Sequence, residues 1–259
     1  MKEALRTHWP EYLIEAAALG VFMLSAVFFT ALLNHPASPL RLVDSQFLSR
    51  SISGVAMGAT AIGIIYSPWG QRSGAHMNPA ITLTFLRLGK IKQHDALFYI
   101  LAQFFGGFLG IFLARVFVMP IVAHETVNYV VTVPGVTGVR AAFFAEAALA
   151  FIMMSMVLLV TNTPRLARFT GLFAGALVCF FITFEAPISG MSINPARTLA
   201  SALPSGIWTS FWIYLTAPTI GMFAAAEAFL FAKRNPAACP KLIHSAQQRC
   251  IFCGHSRTV

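Results

Sequence analysis

Apolar residues along the chain gather into six long runs, at about 12–33, 47–66, 96–118, 141–160, 169–184 and 208–232, and most charges fall between them. A helix rises about 1.5 Å per residue and the hydrocarbon core is about 30 Å thick, so about 20 apolar residues cross it. Each run therefore predicts one membrane-spanning helix. Two further apolar stretches, 79–88 and 195–203, are too short to span. Each follows an Asn-Pro pair. Asn caps a free backbone N–H, and Pro at the first helical position gives up a donor that has no intrahelical partner. Irregular backbone at membrane depth is tolerated only where protein or a water-filled cavity satisfies it. The pattern predicts an all-α membrane protein with six transmembrane helices and two re-entrant half-helices. Surface amphipathic helices fit poorly, because Arg87 and Arg197 are the only charges in the two stretches.

The two Asn-Pro sites belong to an internal repeat. Ser73-Gly74-Ala75-His76-Met77-Asn78-Pro79-Ala80-Ile81-Thr82 aligns with Ser189-Gly190-Met191-Ser192-Ile193-Asn194-Pro195-Ala196-Arg197-Thr198, with Ser, Gly, Asn, Pro, Ala and Thr at one constant offset. Each copy holds three spans, an odd number, so the copies lie in opposite topologies. Inverted repeats with broken helices at matching places point to a functional site near the bilayer midplane. The repeats run over about 11–118 and 140–234 of a membrane domain at 1–234, followed by a polar tail at 235–259. Gly54, Gly58 and Gly63 in the second span and Gly171 and Gly175 in the fifth predict close backbone packing there.

With 57% hydrophobic and 10% charged residues the chain is an integral membrane protein rather than a soluble domain. Its formal charge of +9 is spread over short loops, which argues against nucleic acid as a partner. Lys2, Arg6, Arg87, Lys90, Lys92, Arg165, Arg168, Lys233 and Arg234 collect on one side, and the loop 119–139 has no Lys or Arg. Loops rich in Lys and Arg stay in the cytoplasm, so both termini are expected there, in a multi-pass protein of the cell membrane. The first apolar run lacks a small-residue cleavage site and is read as a retained span rather than a signal peptide.

Glu15 in the first span and Glu146 in the fourth sit in matching contexts, each followed by two alanines. A carboxylate inside a span is costly and marks a functional position. Their expected role is to accept hydrogen bonds from the N–H groups of the re-entrant loops, with His76 and Gln103 serving the same purpose. Glu185 has no counterpart and is assigned either to the second loop or to an outer vestibule. No series of Asp and His follows either Glu, which favours a passive pore over an ion-coupled secondary transporter. No nucleophile-base constellation suggests an enzyme.

These residues carry a resemblance. The duplicated Asn-Pro-Ala, Arg197 after the second copy, the paired Glu15 and Glu146, Ala102-Gln103, Pro218 and Gly221 together resemble the aquaporins, the major intrinsic proteins. The resemblance implies a homotetramer in the lipid bilayer with a pore through each subunit. Asn78, Pro79 and Ala80 would meet Asn194, Pro195 and Ala196 at its centre, and ions and protons would be turned back. It also implies a selectivity filter at Arg197, Met191, Ile182 and either Met57 or Gly58, apolar but for one strong donor. Thr198 stands where glycerol facilitators carry Asp and their long insertions are missing, so an aquaporin-like rather than glycerol-facilitator-like member is expected. The filter lacks the His of a water-only pore, and Trp212-Ile213-Tyr214-Leu215 looks like plant nodulin-type members. The implied function is a channel for water and other small neutral solutes. The alternative is a glycerol, urea or metalloid-acid facilitator with low water flux.

No cofactor is required for such a pore. The tail nevertheless brings Cys250 and Cys253 at knuckle spacing together with Cys239 and either His244 or His255. Three thiolates and an imidazole suit tetrahedral zinc. Gly254 interrupts the Cys-x-x-Cys-His needed for a c-type haem. An unstructured tail with free thiols is the other reading.

Overall fold

A computed structural model describes residues 1–42, 45–237, 239–245, 247 and 249–255. Positions 256–259 of the tail lie outside the described residues, as do 238, 246 and 248. Ten α-helices are described: α1 (Lys2–Asn34), α2 (Gln46–Tyr66), α3 (Pro68–Ser73), α4 (Pro79–Arg87), α5 (Gln93–Val122), α6 (Gly138–Thr161), α7 (Thr170–Phe184), α8 (Ala186–Ser189), α9 (Pro195–Ser205) and α10 (Phe211–Phe231). Six helical segments are long and apolar enough to cross a membrane: α1, α2, α5, α6, α10, and α7 with the 3-10 turn ahead of it. The chain is a multi-pass membrane protein. Six is even, so both ends of the bundle's chain lie on one face.

α4 and α9 are the half-helices, at 9 and 11 residues. Each starts at its proline and is capped by the preceding asparagine, whose Oδ1 accepts from the N–H of Ala80 (2.9 Å) or Ala196 (3.0 Å). Several boundaries differ from the hydropathy pattern, and α5 runs four residues past its apolar run, to Val122. α1 begins at Lys2, ten residues ahead of the apolar run, and carries Pro10 within it. α10 begins at Phe211 because Ser210 takes a left-handed φ of +50°.

The spans pack by backbone approach. A Cβ on Gly106 of α5 would sit 2.0 Å from the Ala16 carbonyl of α1, and one on Gly221 of α10 would sit 2.1 Å from the Ala147 carbonyl of α6. These two contacts correspond under the inverted repeat. Gly54 and Gly58 of α2 press on Cys179 and Gly175 of α7 in the same way. Gly63 departs from the expectation of close packing: a Cβ there would meet nothing within 4 Å. Small residues at an interface gain dispersion contacts that lipid cannot replace.

Candidate functional site

The loops before the two half-helices are near copies in shape. Each passes a left-handed glycine (Gly74, φ +103°; Gly190, φ +83°) and then alternates: Ala75 and Met77 in one, Met191 and Ile193 in the other, all with φ between +47° and +54°. Non-glycine residues held there cost about 1–3 kcal/mol each, so something must over-determine the loops. The first is held by Glu15, whose carboxylate accepts from Ser73 Oγ (2.7 Å), His76 N (3.1 Å), Met77 N (2.7 Å) and Gln103 Nε2 (2.9 Å). Glu146 accepts from Ser189 Oγ (2.8 Å), Ser192 N (2.7 Å) and Ile193 N (2.6 Å) in the second. Both carboxylates are fully buried. Sequence reasoning missed the braces on the other side: Tyr99 donates to the Ser73 carbonyl (2.7 Å) and Tyr214 to that of Ser189 (2.5 Å). Their signal is faint, since a Tyr in an apolar span reads as packing.

Asn78 Nδ2 donates to the Ile193 carbonyl and Asn194 Nδ2 to the Met77 carbonyl, both at 2.7 Å. Each half-helix start is thus tied to the opposite loop. One N–H of each amide is used in this crossing, and the other has no protein partner among the described residues. The starts of two helices meet here, each bringing a partial positive charge of about +0.5.

Beside the asparagines runs a cavity of about 200 Å³. Ser53, Met57, Ala61 and Ile65, four successive turns of α2, line it. At about 1.5 Å per residue it therefore extends roughly 18 Å along that helix. Met57, Ile182, Met191 and Arg197 all face it. Gly58 instead faces α7, where a Cβ would meet the Gly175 carbonyl at 2.5 Å. Arg197 Nη1 is buried with no protein partner. Glu185 follows α7, and neither of its carboxylate oxygens has a hydrogen-bond partner among the described residues. It is absent from the cavity lining, and Ser189 of the second loop is its polar neighbour.

At the Ile65 end the cavity meets the tail. The structure places Leu242 in the lining, 4% exposed, with its N–H donating to the Gly74 carbonyl (3.2 Å). His76 Nε2 donates to the Pro240 carbonyl (2.9 Å), and Phe252 lies parallel to the His76 ring at 6.2 Å. The same segment brings together Cys239, His244, Cys250 and Cys253, whose donor atoms all lie within 4.8 Å of one another. Such a cluster suits a metal such as zinc. A hydrogen bond with the Cys239 thiol is the main force holding the Cys250 thiol down, to about 4, aided by backbone N–H groups and the Lys241 charge. The same shared proton and burial push Cys239 up. Nothing in the polarity of the tail hinted that it would enter the pore mouth.

The geometry is that of a two-fold, broken-helix pore, and comparison with known proteins fixes its relatives. The family model described as major intrinsic protein matches residues 5–230. The chain belongs to that family. Major intrinsic proteins are channels for passive solute conduction, not catalysts. Similar relatives include aquaporin NIP2-2 of Zea mays, 32% identical over 217 residues, spanning 83% of this chain and 71% of that protein. Aquaporin NIP2-1 of Oryza sativa subsp. japonica is 30% identical over 233 residues, 90% of this chain and 75% of its own length. Among solved structures, the aquaglyceroporin from Plasmodium falciparum shares the fold with a TM-score of 0.72, at 20% identity, covering 86% of this chain and 96% of that one.

These relatives overturn one expectation. The chain does not stand on the aquaporin-like side away from glycerol facilitators: the relatives it is similar to at 30% identity or more are NIP-type proteins. The structure explains why Thr198 misled. Its hydroxyl bonds Ser192 and Thr132 behind the lumen, and its side chain is 1% exposed and absent from the cavity wall. A residue that solute never meets does not report on which solute passes.

Proposed function

We propose that this major intrinsic protein is a facilitator for small uncharged solutes of the glycerol, urea and undissociated metalloid-acid class, with lower water flux. One observation carries the reading. Met57, Ile182 and Met191 give the cavity wall apolar side chains, opposed by the unpartnered Nη1 of Arg197. Water entering such a constriction trades several hydrogen bonds for one donor, whereas a solute with both carbon and hydroxyl or amide surface suits both sides. The kinship with NIP proteins and the fold shared with an aquaglyceroporin support it. In this reading Met57, Ile182, Met191 and Arg197 are the filter. Asn78 and Asn194 donate to solute at mid-pore, and the converging helix starts repel cations. Glu15, Glu146, His76 and Gln103 hold the loops. Both termini face the cytoplasm and four chains assemble in the bilayer, as the resemblance implies.

The test is light scattering from proteoliposomes under glycerol, urea and sucrose gradients, using the full chain and a Leu242→Ala variant that shortens the side chain in the lower mouth. Glycerol and urea should enter vesicles carrying the Leu242→Ala variant several times faster than empty vesicles, without dependence on a proton or sodium gradient. Fast water flux with solute entry at the empty-vesicle rate would return the protein to the water-selective class.

A further inference from the structure

The tail lies outside the inverted repeat, yet it is built into the pore mouth and its metal-ligating side chains converge. A segment this short has too little apolar surface to fold on its own, and chains of that size are held by metals or disulfides. The sulfurs of Cys239 and Cys250 stand 3.2 Å apart, unbonded, and His244 Nε2 stands 3.3 Å from Cys253 Sγ. Tetrahedral zinc with sulfur at about 2.3 Å holds its donors roughly 3.5–3.8 Å apart, close to what these four side chains present. Soft thiolates select zinc over magnesium or calcium. Three thiolates leave a zinc site with net negative charge, and a buried cation lies beside it. Lys241, 3% exposed, donates from Nζ to the carbonyls of Arg249 (3.1 Å) and Gln71 (3.0 Å).

The position of the ligands gives the site its consequence. Cys239 and His244 bracket the segment that enters the mouth. Within that bracket Pro240 accepts from His76, Lys241 reaches Gln71, and Leu242 bonds Gly74 and lines the cavity. Ligand closure therefore fixes the very residues that touch the pore loop. We propose that Cys239, His244, Cys250 and Cys253 bind one Zn²⁺, and that the metal staples the tail into a plug whose Leu242 closes the pore at the face carrying the termini. Loss of the metal removes the fold of the tail, because binding energy and folding energy are one quantity in such small sites. The mouth then opens, and conduction reports the availability of zinc. The closure rests on the channel reading above; the metal site does not.

The test uses the full-length protein. Elemental analysis of the purified chain should give about one zinc per chain, and a Cys250→Ser/Cys253→Ser variant should give almost none. In proteoliposomes a chelator should raise glycerol entry several-fold, and returning Zn²⁺ to the termini-bearing face should reverse the rise. Leu242→Ala should keep its zinc and conduct at the open rate with or without chelator, which separates the plug from the metal. Wild-type chain that holds no zinc, with its thiols free or disulfide-bonded, overturns the site. Zinc bound to a pore whose flux ignores the chelator overturns the plug and leaves the channel standing. Flux at the empty-vesicle level in every form, with zinc present, overturns the channel reading and the plug while the metal site stands.

Discussion

Asn78 and Asn194 each cap their own half-helix with Oδ1 and cross to the opposite loop with Nδ2, so one side chain serves two loops. The glutamates work in the same economy. Glu146→Ala would strip the acceptor from the N–H groups of Ser192 and Ile193, and each buried group left unpaired costs about 1–3 kcal/mol. The variant should melt at lower temperature than wild type and lose flux, whereas Glu146→Gln, which keeps an acceptor oxygen, should lose less of each. Thermal unfolding in detergent with parallel flux measurements checks the order. At the filter, Met191→Phe should slow glycerol relative to water by about tenfold or more, since a group's misfit in an apolar slot is worth about 1–3 kcal/mol. Equal slowing of both would show that Met191 does not discriminate. Asparagine before proline announces the caps in the sequence. That Thr198 is turned from the lumen depends on hydrogen bonds to Ser192 and to Thr132 in another segment, which no local pattern encodes.

At the scale of elements, the spans are set by hydropathy and their pairing by glycine. Gly106→Val and Gly221→Val would each drive a side chain into a carbonyl of the neighbouring helix, and both should reduce the yield of folded protein sharply. Gly63→Ala, with open space around it, should shift stability by no more than about 1 kcal/mol. Size-exclusion profiles of the three variants decide. The six spans were legible because about 20 apolar residues in a row have few other uses. Half-helices were legible because they join a cap signal to a length that cannot cross. Helix ends were less so: Lys2 to Pro10 is helical although polar, and Trp208 to Ser210 is not helical although apolar in part. There, neighbouring structure overrides local preference.

In the whole molecule, the inverted repeat accounts for the pore and the tail stands outside it. The pore could be read in advance because its chemistry occurs twice, and a duplicated signal is hard to produce by chance. The docking of the tail could not, because it joins residues far apart in the chain: Leu242 with Gly74, Lys241 with Gln71, and Arg249 with the Thr7 carbonyl (3.3 Å). Only its candidate metal ligands were visible beforehand: Cys239, Cys250, Cys253 and either His244 or His255.

The contacts of Gly106 with Ala16 and of Gly221 with Ala147 carry a last consequence. Where helices touch main chain to main chain, no side chain stands between them to be turned aside, so these two seams resist being prised apart or squeezed. A valve set at one opening, as the tail would be, asks nothing of such stiff walls.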